Sequence, residues 1–286
     1  MATAIVVLAA LLAAIDAPGP QCAPAATFAG TICTPAGGGA RPAVIVLGGS
    51  GGGDRLAPIA RRFAERGYVA ASVAYFGAPG LPRTLDEIPV ETVGNALTAI
   101  AWRDDVDGQR IAIFGDSKGG ELALLAASVY PTIHAVIALV PSPFAWSGAS
   151  GGPSWTLGGR PVHYLALDRR RRDPYATALR EHQATVGSLM FHLEDVRGPV
   201  LFLAGDDDAV WDSARQSELG LGYLRAHGHA YPDRAVRYAH AGHAFLFATE
   251  ARPLTAFGGT ARGNVEAGAA VWTEIDDFLT SAFARG

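Results

Sequence analysis

The sequence predicts an α/β fold: a mainly parallel, doubly wound sheet with helices on both faces. Three observations predict it. Short segments such as AVIVL and VLFLA are apolar throughout, as strands covered on both faces are. Stretches with helical spacing lie between them, and the two kinds alternate from about residue 27 to the C-terminus.

Taken in order, FAGTIC (28–33) reads as an outer strand and PAGGGARP (35–42) as a turn. AVIVL (43–47) is a fully buried strand, left through the glycines of 48–53. LAPIARRFAERG (56–67) has helical spacing and a glycine stop, and YVAASVAY (68–75) is the next strand. IPVETVGNALTAIAWRDD (88–105) reads as a helix, DG (107–108) as a turn and RIAIFG (110–115) as another buried strand. SKGGELALLAASVY (117–130) is apolar all round, the pattern of a helix packed beneath other elements. HAVIALV (134–140), PVLFLAG (199–205) and AVRYAH (235–240) supply three more strands, with helices near 211–227 and 264–283. Residues 141 to about 196 break the rhythm with Pro, Gly, Trp and the run Arg169 to Arg172, which predicts an insertion over the C-terminal edge of the sheet.

Composition narrows the function. A chain of 286 residues, 49% hydrophobic, has material for one substantial core, so residues 18–286 are expected to form a single domain. With 17% charged residues and a formal net charge of −4, no basic footprint for nucleic acid is present, and a small or apolar substrate is the default. The run AIVVLAALLAAI (4–15) is too short to cross a bilayer and ends at Asp16, Pro18 and Pro20. It resembles a signal-peptide core, so residues 1–17 are expected to be a signal peptide and the protein secreted or periplasmic; the alternative is a buried N-terminal element of a cytoplasmic protein. Cys22 and Cys33, the only two cysteines, either close a small disulfide loop or remain free buried thiols.

The chemistry centres on GDSKG (115–119), a GxSxG sequence between a buried strand and a helix. The flanking glycines let strand and helix backbones approach, so that Ser117 can occupy a strained turn with its hydroxyl exposed. A serine hydroxyl is a weak nucleophile at neutral pH and needs a base, itself oriented by a third group. AGDDDAVW (204–211) and AHAGHAF (239–245) follow later strands and supply them in the order Ser, Asp, His of α/β-hydrolases. Asp208, farthest into its loop, is the expected acid and Asp207 the runner-up; Asp206 and Asp207 otherwise cap the next helix or hold the loop. His243 is the expected base, His240 a structural residue, and His227 and His229 solvated side chains. Negative charge on a substrate carbonyl would be met by the backbone N–H of Lys118 and by LGGSGGG (47–53), with Gly49 and Ser50 as candidates for the second donor. No glycine spacing fits a phosphate loop, no cluster has the spacing of a closed metal site, and no cofactor is expected.

Lys118 is the sole lysine. Its ammonium either meets an anionic part of the substrate or faces solvent. Arg169 to Arg172 either bind phosphate or are solvated.

LGGSGGG, YFGAPGLPRTLDEIPVE, GDSKGGELALL, SWTLGGRPVHYL, AGDDDAVW and AGHAF together resemble the catalytic domain of the acyl-CoA thioesterase and bile acid-CoA:amino acid N-acyltransferase family, from about residue 27 to the end. The resemblance implies an α/β-hydrolase fold, with the family's nucleophile falling on Ser117, its acid on Asp208 and its base on His243. Long members carry an N-terminal β-sandwich domain, for which the residues before the match leave no room. The acyltransferases use Cys as nucleophile; Ser117 resembles the thioesterase branch and implies hydrolysis rather than transfer to an amine. The expected substrate is a small acyl thioester or ester, with no stable membrane insertion. An exported carboxylesterase or dienelactone-hydrolase-like enzyme, an acyltransferase and an idle hydrolase-fold binding protein are the alternatives.

Overall fold

A computed structural model describes residues 19–284, so the expected signal segment lies outside the described residues. Eight strands form the main sheet: β1 (Gln21–Pro24), β2 (Gly30–Thr34), β3 (Arg41–Leu47), β4 (Val69–Val73), β5 (Val106–Asp116), β6 (Ala135–Leu139), β7 (Val200–Gly205) and β8 (Arg234–Tyr238). Their order is β1-β2-β4-β3-β5-β6-β7-β8. From β4 to β8 neighbours are parallel; β1 and β2 join antiparallel at one edge. The major helices are α1 (Ala57–Ala64), α2 (Glu91–Ala101), α3 (Lys118–Val129), α4 (Pro174–Glu181), α5 (Ser213–Ala226) and α6 (Ala261–Phe283).

Side-chain alternation along the strands divides the core in two. Ile45, Leu47, Ile111, Ile113, Val136 and Phe202 face the layer containing α2, α3 and α5, where they meet Val93, Leu97, Leu122 and Leu224. Val44, Val46, Ala112, Phe114, Ile137 and Leu203 face the other layer, against Phe63 of α1 and Val271, Trp272 and Ile275 of α6. Arg62 and Arg66 lie over the Trp272 ring, 4.1 and 4.5 Å from its centroid, and cover the outer side of that layer. Because both faces are covered, the central strands contain no polar alternation, and this is why they are recognisable as continuous apolar runs.

Two local readings need correction. FAGTIC contributes β2, yet the outermost strand is β1, whose Cys22 lies opposite Cys33 and is joined to it by a disulfide. The DG at 107–108 does not end a helix–strand connection; β5 begins at Val106, and its ladder with β3 shifts register between Arg41 and Ala43. Asp107 satisfies the irregular backbone by accepting from Gln109 N–H at 3.0 Å.

The chain leaves β3 toward β4 on one side of the sheet and later crosses to β5 on the other. Loops at the C-terminal ends of β3 and β5 therefore diverge and leave a crevice between them. The segment after β6 carries short paired strands at Ala145–Trp146 with Tyr164–Leu165, and at Trp155–Leu157 with Ile88–Pro89 and Arg160–Pro161. Its side chains Phe144, Trp146, Leu165 and Leu179 form a small core with Trp211. No helix among the described residues is long and apolar enough to cross a membrane.

Candidate active site

Ser117 occupies the turn between β5 and α3 with φ 56° and ψ −119°, a left-handed backbone that a non-glycine residue holds at a cost of about 1–3 kcal/mol. Tight packing enforces it. A Cβ at Gly115 would overlap the carbonyl of Gly119, and one at Gly119 would overlap the carbonyl of Leu47, so both GxSxG glycines are steric requirements. Ser117 N–H donates to Leu139 O at 2.9 Å, anchoring the turn to β6.

The structure brings together Ser117, Asp208 and His243, which come from the ends of β5, β7 and β8. His243 Nε2 lies 2.8 Å from Ser117 Oγ, and His243 Nδ1 lies 2.8 Å from Asp208 Oδ2. The other oxygen, Asp208 Oδ1, accepts from Val210 N–H at 2.8 Å and Trp211 N–H at 3.3 Å, fixing the carboxylate plane. Burial alone would push Asp208 up, but the hydrogen bond and charge of His243 hold it below the ordinary 3.8. Asp208 is therefore a carboxylate poised to orient an imidazole. Such a line can carry a proton from a hydroxyl to a ring nitrogen and stabilise the imidazolium that results.

The two loops carrying Asp208 and His243 are stitched by the segment ahead of α6. Phe257 O accepts from His243 N–H at 2.9 Å and Ala209 N–H at 3.3 Å. Asn264, buried in the first turn of α6, accepts from Gly242 N–H at 2.7 Å and donates to Pro253 O and Gly258 O. Trp211 closes the other flank: its ring lies 5.5 Å from that of His243, and its Nε1–H donates to Val140 O at 3.0 Å. Neither Asn264 nor Trp211 carries a sequence signal of this role, because both act through contacts between loops far apart in the chain.

The remaining acidic and histidine candidates fall elsewhere. Asp206 pairs with Arg237 at 2.7 Å and Asp207 lies 3.5 Å from the exposed His240; the cap of α5 is Asp212, which accepts from Arg215 N–H at 3.1 Å. His227 is exposed, but His229 is not solvated as the sequence suggests. Its ring is buried with Nδ1 2.6 Å from Asp233 and Nε2 2.9 Å from Val196 O. Two acceptors on one ring favour the imidazolium: burial lowers the His229 pKa, and the Asp233 and Val196 bonds outweigh it to hold the pKa above 6.5.

Gly49 sits against Ser117, since a Cβ there would lie 3.1 Å from Ser117 Cβ. Ser50 lines the cavity beside it. The Tyr75 hydroxyl donates to Gly48 O, which fixes one carbonyl of this glycine loop. Lys118 is the first residue of α3, where a backbone N–H has no intrahelical acceptor.

The Lys118 side chain departs from both sequence readings. It runs into the insertion and is only 6% exposed, bordering the cavity with its ammonium held by protein groups. Its ammonium donates to Glu121 Oε1 at 2.5 Å, Ser154 Oγ at 2.9 Å and Trp146 O at 3.0 Å, so all three hydrogens are used. Glu121 Oε1 also accepts from Trp155 Nε1–H at 2.5 Å. The pair thus fastens the first turn of α3 to the insertion. Burial pushes Lys118 down and Glu121 up, and their mutual charge opposes both movements. Asp116, buried just before Ser117, is pushed up to about 6 chiefly by burial, with His243 opposing and Asp208 reinforcing the change.

Ser117 opens into a cavity of about 490 Å³, lined in part by Phe76, Leu85, Tyr175, Val210 and Trp211. Its wall includes Ser147 to Ala149 of the insertion.

The family described as BAAT / Acyl-CoA thioester hydrolase C terminal matches residues 88–285. Human acyl-coenzyme A thioesterase 1 is 26% identical over 269 residues, covering 87% of this chain and 62% of that protein. The peroxisomal succinyl-coenzyme A thioesterase of Mus musculus is 27% identical over 228 residues, covering 74% of this chain and 51% of that protein. The chain thus spans less than two thirds of these relatives. A putative dienelactone hydrolase from Klebsiella pneumoniae superimposes with TM-score 0.61 at 19% identity, covering 92% of this chain and 99% of that one. An esterase from Pyrobaculum calidifontis does so with TM-score 0.60 at 21% identity, covering 93% and 87%. The fold is that of α/β-hydrolases.

Proposed function

Because the chain belongs to the BAAT / acyl-CoA thioester hydrolase C-terminal family, we propose that it hydrolyses small acyl thioesters or esters through an acyl-enzyme on Ser117. The single observation that carries this reading is the line Asp208, His243, Ser117, joined by two contacts of 2.8 Å beside an open cavity. Ser117 Oγ attacks the carbonyl carbon as its proton passes to His243 Nε2. The carbonyl oxygen becomes an oxyanion, met by the amide of Lys118 and one from Gly49 or Ser50. Collapse breaks the carbonyl–sulfur or carbonyl–oxygen bond, and His243 returns the proton to the departing thiol or alcohol. Water, deprotonated in turn by His243, then attacks the acyl-serine and releases the acid. Asp208 stays ionised and holds the ring.

The relatives' names support a thioester. The Cys22–Cys33 disulfide favours a second reading, since such bonds persist in oxidising compartments: an exported enzyme acting on oxygen esters. Paired thioester and oxygen-ester substrates distinguish these, and N-terminal sequencing of the native protein tests export.

Fluorophosphonate labelling at Ser117, lost in Ser117→Ala, tests the nucleophile. Ser117→Ala and His243→Ala are expected to lower kcat by roughly 10⁴-fold or more with folding intact. Unchanged labelling or turnover in Ser117→Ala overturns the mechanism.

A further inference from the structure

We propose that the cavity beside Ser117 recognises an anionic group on the substrate, a carboxylate or a phosphoester, through Arg83 and Arg169. The inference rests on the hydrolase reading and adds the class of substrate. Both arginines line the same cavity as Ser117, although they come from different loops, one ahead of α2 and one in the insertion. No lining residue is acidic. The third cation on the wall, Lys118, is already neutralised by Glu121. Arg83 and Arg169 are therefore the charges this cavity offers a ligand.

Their neighbours show the contrast. Arg170 and Arg171 both pair with Asp168, at 2.8 and 3.7 Å. Arg169 departs from that cluster and donates one Nη2–H to Gly148 O at 2.9 Å, which leaves most of its donors unused. Among the described residues neither Arg83 nor Arg169 has a carboxylate within ion-pair distance. Asp86, the acid whose carboxyl feels Arg169, instead accepts from the Ser150 N–H at 2.8 Å and the Ser150 hydroxyl at 2.7 Å. A guanidinium fork matches two oxygens of a carboxylate or phosphate, and desolvation against Phe76, Tyr175 and Trp211 would strengthen the contact. The volume, about 490 Å³, suits a small acyl group with the beginning of its leaving group, so the anion lies on one of these two parts.

Three thioesters separate the sources: neutral butyryl-N-acetylcysteamine, glutaryl-N-acetylcysteamine with a carboxylate on the acyl tail, and butyryl-CoA with phosphates on the leaving group. The wild type is expected to favour at least one charged substrate by about tenfold or more in kcat/KM over the neutral one, and R83M/R169M to lose that ratio by a similar factor. Loss on the glutaryl arm assigns the acyl tail, and loss on the CoA arm assigns the leaving group. Charged-to-neutral ratios near one, or a ratio unchanged in the double variant, overturn the proposal. Calorimetric binding of the same charged thioesters to Ser117→Ala, with and without R83M/R169M, reads the anion site independently of turnover. Arginine-dependent binding without hydrolysis by the wild type would sink the hydrolase reading and keep the site; hydrolysis with arginine-independent binding does the reverse. Both arginines are exposed, and matched unfolding midpoints verify that the double variant is folded.

Discussion

Replacing Lys118 with Met removes the only cation among the described residues that pairs with the buried Glu121 carboxylate. Glu121 is fully buried, and its Oε2 already has no hydrogen-bond partner. Wild-type Lys118 gives Oε1 a charged donor at 2.5 Å, and the variant leaves only the indole of Trp155 and the amide of Trp146. Breaking one side of a buried pair in this way costs about 3–5 kcal/mol, because the surviving charge keeps its desolvation penalty. In a domain of this size that lowers Tm by on the order of 10 °C. Glu121→Gln should be costly for the mirror reason, stranding an ammonium. K118M/E121Q removes both charges, so its loss should fall short of the sum of the single losses by about 1–3 kcal/mol. Urea denaturation of the four proteins at pH 7.5 measures the cycle. The pH dependence supplies the sign: without Lys118, the Glu121 carboxyl rises further above 4.5, and the folded protein binds a proton that the unfolded chain releases. Stability of Lys118→Met should therefore recover on acidification toward about pH 5, whereas K118M/E121Q should not. Additive single losses, or a Lys118→Met penalty below about 1 kcal/mol, would refute the buried-pair reasoning.

Two further expectations concern titrating groups. Asp116 is raised in the folded state, so its contribution is present at low pH and is lost as pH climbs from 3.8 through about 6. Asp116→Asn should thus be more stable than wild type by about 3 kcal/mol above pH 7 and show no such decline, and equal stabilities at pH 7.5 by urea denaturation would contradict it. His229 is raised by its two acceptors, so its stabilisation is complete below 6.5 and fades as pH rises through the higher folded value. The stability gap between wild type and His229→Gln, followed by thermal unfolding from acid to alkaline pH, should narrow across that range; a gap independent of pH would exclude the imidazolium.

Much of the architecture is legible in the chain because burial on both faces of a parallel sheet imposes continuous apolar runs. AVIVL, RIAIFG, HAVIALV and PVLFLAG consequently mark β3, β5, β6 and β7 within a few residues. β1 is not legible: QCAP is a short, exposed edge segment with no apolar pattern, held in place by backbone pairing and the disulfide. The GxSxG glycines are legible for a steric reason, since the turn that tilts Ser117 leaves no room for side chains at Gly115 and Gly119.

What the amino-acid order determined by itself is the set of strands, the helices between them and the three reactive residue types at strand ends, because each is written in local pattern. Tertiary structure alone decided the distance at which His243 meets Ser117, how Asn264 and Phe257 O hold the two loops, where Lys118 and His229 hide their charges, and which arginines border the cavity. Those outcomes depend on distances between segments as much as 126 residues apart, and local propensity has no term for such distances.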